Sequence, residues 1–494
     1  MVALTRRSFA AGAAAIPFAI WFERYARAAG PFVRYDARSP QGSAMLKVYA
    51  QAVRKMQTVA QIPAGSPRGW TFQWYTHFVK GSTTKSAAIA EIYLAPSAWK
   101  ALAEEMWNTC QAHSGQPEDY FLPWHRMFVF FFEQIIRNVS GDASFTLPYW
   151  NYTQSGPTYA VIPAEFTKQN DPTFGSLYVA KRNPGVNSGS PIAAPGYLNL
   201  DSLKECVYSA NGAVQGFCSD LDGGLHGRVH VQTGDTQNMG AVPWAAGDPV
   251  FWVHHSNIDR IWASWNAGGR KNPTTASFLD KTFVFADGAG NRVVAKIQDF
   301  LDTAKLGYSY DHLEQVPSCT KRFSSLPTAL STARTHGAMK TSLTLGAAPA
   351  QATIDLQSLA GAPAAAPSEA FAQRLSKVPP EHKVFVVLKG LSSEVQPGVL
   401  YDVYLQLPQG TAPKEGGGYR IGTLSFFDTG HGDHTAVGAG AEAKFVSFDV
   451  TALVATLAGK KMLDTRKLNL TFAPVGQPAA AAKPVIGEIS IVEQ

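Results

Sequence analysis

The segment from His125 to Arg137, HRMFVFFFEQIIR, contains no helix breaker and is long enough for a buried helix. Residues 254–266, HHSNIDRIWASWN, read as a second helix. Each begins on histidine, so a fold that buries these helices also buries imidazoles. One histidine-bearing stretch is His113-(x11)-His125, ending in F-L-P-W-H-R at 121–126. The other is H-G-R-V-H from His226 to His230, followed by D-P-V-F-W-V-H-H-S-N-I-D-R at 248–260. His226 and His230 are four apart, which on a helix sets both rings on one face, able to converge on one ion. His254 and His255 are adjacent and point about 100° apart on a helix, so only one of them should face a given ion. Between the stretches, residues 153–224 are rich in Gly, Pro and Asn and read as surface loop.

With His77, seven of the twelve histidines fall in this region, and aromatic residues, 11% of the chain, crowd around them. Taken singly the signals are weak, since a lone i,i+4 pair is often two surface histidines. Together they read as two half-sites for a pair of metal ions. Neutral imidazole suits zinc, copper, iron and nickel. Hydrolytic binuclear sites usually add bridging carboxylates, and none is evident here. A site built from histidine alone favours copper cycling between Cu(I) and Cu(II).

F-L-P-W-H-R-x2-V-x3-E (Phe121 to Glu133) and D-P-x-F-W-x2-H-x3-D (Asp248 to Asp259) are similar to the two signatures of the tyrosinase and catechol oxidase family of type-3 copper proteins. The resemblance covers residues 60–270. It implies a mainly α copper domain, a four-helix bundle around a binuclear copper site, with O2 as co-substrate and small phenols as substrates. It assigns His77, His113 and His125 to the first copper and His226, His230 and His255 to the second. Asp259, one turn past His255, becomes an acceptor that fixes a ligand ring, and His254 a residue supporting the site from beneath. The implied activity is oxidation of o-diphenols to o-quinones, with o-hydroxylation of monophenols left open. An o-aminophenol oxidase and a haemocyanin-like oxygen carrier without turnover are the rivals.

The chain departs from the family pattern in several places. Seven residues, Ser114 to Tyr120, separate His113 from Phe121, a longer gap than usual. Gly81 stands where plant-type members place a cysteine bonded to a ligand histidine. Cys110, three before His113, is either a thioether partner of His113 or a small core residue. Gly227 replaces the Asn that orients a water in monophenol-accepting members, and Asp222 is the nearest stand-in for the Glu that holds that water. Both changes argue for weaker monophenol hydroxylation. Val242 aligns with a gating Phe and leaves the second copper accessible. Val231, after His230, joins Val242, Gly227 and Asp222 among the substrate-facing candidates.

Arg6-Arg7, an apolar run to Phe22 and Ala26-Arg27-Ala28 mark residues 1–28 as a twin-arginine export signal, hence a periplasmic or secreted protein. The run falls short of the roughly 20 apolar residues that span a bilayer, which excludes integral membrane association. Export permits disulfides, and Cys206 and Cys218 are close enough in sequence to close a small loop. The net charge of +6 is spread along the chain, against nucleic-acid binding. The copper domain is expected over 29–344 and an Ala/Pro-rich linker over 345–375. Short β-rich runs over 376–494 indicate a β-sandwich, either a lid over the site or an accessory domain. Tyr401-D-V-Tyr404 and Ile486-G-E-I-Ser490 there resemble, more weakly, the C-terminal domain of plant-type polyphenol oxidases. His431 and His434 read as an exposed loop. The oligomeric state is left open.

Overall fold

The computed structural model describes residues 16–17, 32–111, 118–319, 333–356, 382–413, 416–429, 445–463 and 466–494. The paired arginines, the cleavage site, His113, His431 and His434 lie outside the described residues. The chain forms the expected sequence of architectures, helical in its N-terminal part and sheet-rich in its C-terminal part.

Five helices position the histidines: α1 (Pro40–Gln57), α2 (Trp70–His77), α3 (Phe121–Ser140), α4 (Gly227–Thr233) and α5 (Val250–Ala267). Helix α3 turns almost no residue to solvent and stops at Gly141, whose φ of 80° is the left-handed cap that glycine adopts without strain. It packs between α1 and α5, with Phe132 edge-on to Tyr49 and stacked on Trp252 at 3.5 Å. Its charged residues therefore find their ion-pair partners inside the protein. Strand β1 (Phe32–Arg34) pairs in parallel with β2 (Tyr308–Tyr310). This pairing brings Arg34 onto Glu133 of α3 at 2.9 Å and onto Asp259 of α5 at 3.2 Å. Arg126 of α3 also pairs with Asp259. The hydroxyls of Tyr308 and Tyr310 each donate to the same carboxylate at 2.6 Å.

The C-terminal part is a sandwich of two antiparallel sheets. Its strands are β3 (Arg334–Met339), β4 (Ala350–Asp355), β5 (Val384–Lys389), β6 (Leu400–Leu405), β7 (Arg420–Leu424), β8 (Phe445–Asp449), β9 (Lys467–Val475) and β10 (Glu488–Glu493). One sheet runs β7-β6-β9-β4 and the other β8-β5-β10-β3. Strand β6 is buried on both faces. Tyr401, Val403 and Leu405 enter the sandwich core, while Leu400 joins a separate cluster shared with the helical part. That division is the two-residue period of a strand.

Two expectations are corrected. Strand β3 starts ahead of the boundary at 344, and β4 lies in the stretch read as linker, where it pairs with β9 from Ala350 to Asp355. The Ala/Pro bias of that stretch hid the alternation of A-Q-A-T-I-D, whose Ala352 and Ile354 are buried in the sandwich. Cys206 bonds Cys319, not Cys218. Cys218 lies on the short helix Gly216–Leu221 with its side chain turned into the helical core, away from the surface loop that carries Cys206. Among the described residues no helix is long and apolar enough to cross a membrane.

Candidate metal centre

Two groups of metal-ligating side chains form where the helices meet. His77, the last residue of α2, faces Cys110 and His125 of α3, with their donor atoms all within 4.8 Å of one another. Cys110 Sγ lies 3.4 Å from His125 Nε2. The second group is His226, at the end of a wide turn (Asp222–His226), His230 on α4, and His254 and His255 on α5, again within 4.8 Å. All seven side chains are buried. The groups abut, with the His125 ring stacked on that of His255 at 4.3 Å and 9°. Phe251 packs against His77 at 4.9 Å and His255 at 4.2 Å, sealing one side.

Backbone carbonyls set the rings. Nδ1–H of His125 donates to Phe121 O at 2.8 Å, that of His226 to Asp222 O at 3.1 Å, and that of His230 to Met239 O at 2.7 Å. A proton fixed on Nδ1 leaves the Nε2 lone pair available to a metal. Nε2 of His230 and both ring nitrogens of His254 and of His255 are buried with no hydrogen-bond partner. Each such atom costs about 1–3 kcal/mol unless something binds it. Burial first, and neighbouring imidazoles second, hold His230, His254 and His255 well below the ordinary histidine range. They are neutral, the form that ligates. Neither group contains a carboxylate. Buried neutral imidazoles with orphaned lone pairs fit copper.

The candidates from sequence fall as follows. His77, His125, His226, His230 and His255 come together. One ring nitrogen of His254 also lies within 4.8 Å of one from each of His226, His230 and His255, so both members of the doublet reach this group. Side-chain reach overcomes the angular separation of neighbours on a helix. Asp259 does not hold a ligand ring. Its carboxylate is taken by Arg34, Arg126, Tyr308 and Tyr310, so it fixes helices and not an imidazole. Asp222 Oδ1 lies 3.0 Å from His226 Nδ1, on the back of that ring.

Val231 and Val242 form an apolar cluster with Phe78 and with Leu400 and Phe427 of the sandwich. The Phe427 ring stacks on His230 at 4.2 Å and 13° and lies 5.5 Å from His226. Gly227 is the seat of this contact, since a Cβ there would stand 3.3 Å from Phe427 Cβ and Ser425 Oγ. Sequence reasoning missed Phe427, which ends a run that reads as ordinary strand, and Leu400, which directly precedes another.

The profile described as the common central domain of tyrosinase matches residues 67–177 and 179–268, and the polyphenol oxidase middle domain matches 272–323. Residues 332–494 match a domain of unknown function, DUF7868. Tyrosinase HcTyr1 of Hahella sp. (strain CCB-MM4) is 33% identical over 310 residues, 57% of this chain and 64% of that protein. Aureusidin synthase of Antirrhinum majus is 32% identical over 228 residues, 39% and 40% of the two chains. The chain thus spans less than two thirds of the length of these curated relatives. Latent apple tyrosinase shares the fold, with a TM-score of 0.58 at 20% identity over 94% of this chain and 97% of that one. The two signatures, the buried histidine groups and these matches agree: the chain is a member of the tyrosinase and polyphenol oxidase family.

Proposed function

We propose that the chain oxidises o-diphenols to o-quinones with O2 at a pair of copper ions, and that its C-terminal sandwich is a lid over the site. His77, His113 and His125 would hold one ion, and His226, His230 and His255 the other. The observation that carries this reading is the pair of buried histidine groups pressed together, His125 against His255. Bound copper would supply the redox chemistry, drawing two electrons from the diphenol and passing them to O2.

The chain's own part is positioning. The face of His230 now covered by Phe427 is a flat platform for a phenol ring. Val231, Val242 and Phe78 line that place with apolar surface and keep water out. No side chain need act as a nucleophile. Gly227 offers no side-chain amide and Asp222 is turned onto His226, so monophenol hydroxylation would be the weaker activity. Residues 1–28 would direct export by the twin-arginine route.

The test is copper content and quinone formation from catechol under air, before and after cleavage within residues 320–332. Two coppers per chain and turnover that rises after cleavage fit the reading. A single ion per chain, or copper-replete protein that leaves catechol unchanged, refutes it. Equal turnover before and after cleavage removes the lid.

A further inference from the structure

The sandwich meets the helical part with an aromatic ring and a carboxylate set side by side. Phe427 stacks on His230. Asp402 accepts a hydrogen bond from the Tyr197 hydroxyl at 2.6 Å. Within the sandwich, Asp402 is held by Arg420 Nε and the Thr423 hydroxyl, each at 2.8 Å. Tyr197 packs on the same apolar cluster that receives Phe427 and Leu400, so ring and carboxylate belong to one contact. Leu400 and Asp402 are alternate residues on one face of β6, about 7 Å apart along the strand. That spacing sets the scale between the apolar end of the contact and its charged end.

Beside Tyr197 stands Arg228, the residue after Gly227. Its Nη1 donates to Tyr197 O at 3.2 Å and its Nη2 to Thr423 O of the sandwich at 3.3 Å. Its Nε is buried with no hydrogen-bond partner. Asp220 attracts it electrostatically but forms no ion pair with it among the described residues. A covered guanidinium with a free donor is matched by a carboxylate, which takes two of its N–H groups at once. If the sandwich leaves, Tyr197 and Arg228 lose Asp402 and the Thr423 carbonyl together.

We propose that Tyr197 and Arg228 form a carboxylate-binding subsite at the mouth of the histidine groups. The substrate is then a phenol bearing a carboxylate on a short side chain, of the arylpropanoate type, and Phe427 with Asp402 is the lid's imitation of it. This rests on the copper phenol oxidase reading above.

The experiment uses the full, copper-loaded chain carrying Phe427→Gly and Asp402→Asn, which removes both halves of the imitation. The kcat/KM for dihydrocaffeate is compared with that for its methyl ester. The acid is favoured, and Arg228→Gln lowers the acid-to-ester ratio about ten-fold, the scale of one charge-assisted hydrogen bond. Arg228→Lys restores part of that ratio. In parallel, calorimetry follows the redox-inert phenylpropanoate, whose binding weakens with Arg228→Gln or Tyr197→Phe. An acid-to-ester ratio that Arg228→Gln leaves unchanged, with the ester still oxidised, overturns the subsite and spares the oxidase reading. If neither phenol is oxidised, calorimetry decides: binding lost with Arg228→Gln supports the subsite, and binding retained overturns it. Should Phe427→Gly fail to fold, Phe427→Leu carries the same comparison.

Discussion

The two histidine groups are built in different ways. His226 and His230 sit four residues apart and are steered by carbonyls of their own stretch, Asp222 and Met239, while His254 and His255 arrive together on one helix. His77 and His125 come from separate helices, with Cys110 from the chain between them. Their relation to the second group depends on how α3 packs against α5. That packing is pinned by Asp259, whose carboxylate gathers Arg126 beside His125 and Arg34 from the distant strand β1. Local geometry assembles the second group, and a buried ionic network across the fold joins it to the first.

The sharpest way to separate them is His230→Ala. It removes a ring nitrogen from the local group only, so copper should fall from two ions per chain to one. Catechol oxidation should drop well beyond the about hundred-fold loss typical of outer-sphere changes. Metal analysis and oxygen uptake measure both. Asp259→Ala strikes the network instead. It strands Arg34 and Arg126 in the interior at a cost of about 3–5 kcal/mol, read from urea unfolding. Both groups should then lose metal together. Loss from one group alone would show that the network does not join them.

Acid should also expose the contrast. In the metal-free chain His230, His254 and His255 titrate far below their unfolded values. The unfolded chain therefore takes up protons first, near pH 6.5 or about there. Stability is full above that value and falls as the pH drops through it. Thermal unfolding across this range should show the loss, and His254→Phe should make it shallower. An unaltered slope would mean that His254 is not buried neutral. The smallest effect is expected from Cys110→Ala, a small buried side chain in the assembled group. It should cost about 1 kcal/mol and leave metal binding by His226, His230 and His255 intact, as titration with copper would reveal.

Much of the helical part was legible because its chemistry repeats at helical intervals. An unbroken apolar run ending at Arg137, the pair His226 and His230, and the doublet His254–His255 all announce buried helices with imidazoles on them. The role of Asp259 was not, because its partners Arg34, Tyr308 and Tyr310 lie far away in sequence. Phe427 was invisible for the same reason. Its stacking on His230 is made across a boundary between two cores, and no local pattern reports such a contact. The partner of Cys206 was likewise set by tertiary approach over 113 residues, whereas nearness in sequence favoured Cys218.

Strands β3 and β4 lie on one side of the segment 357–381 and the remaining sandwich strands on the other, yet each sheet contains one of the early pair. A nick within 357–381 would therefore sever the polypeptide without releasing anything. Two fragments would appear on a denaturing gel, but the particle would migrate as one under native conditions, with Phe427 still seated. Shedding the cover demands a break upstream of Arg334, so under the lid reading proposed above the address of the cut, and not its occurrence, would decide whether turnover rises.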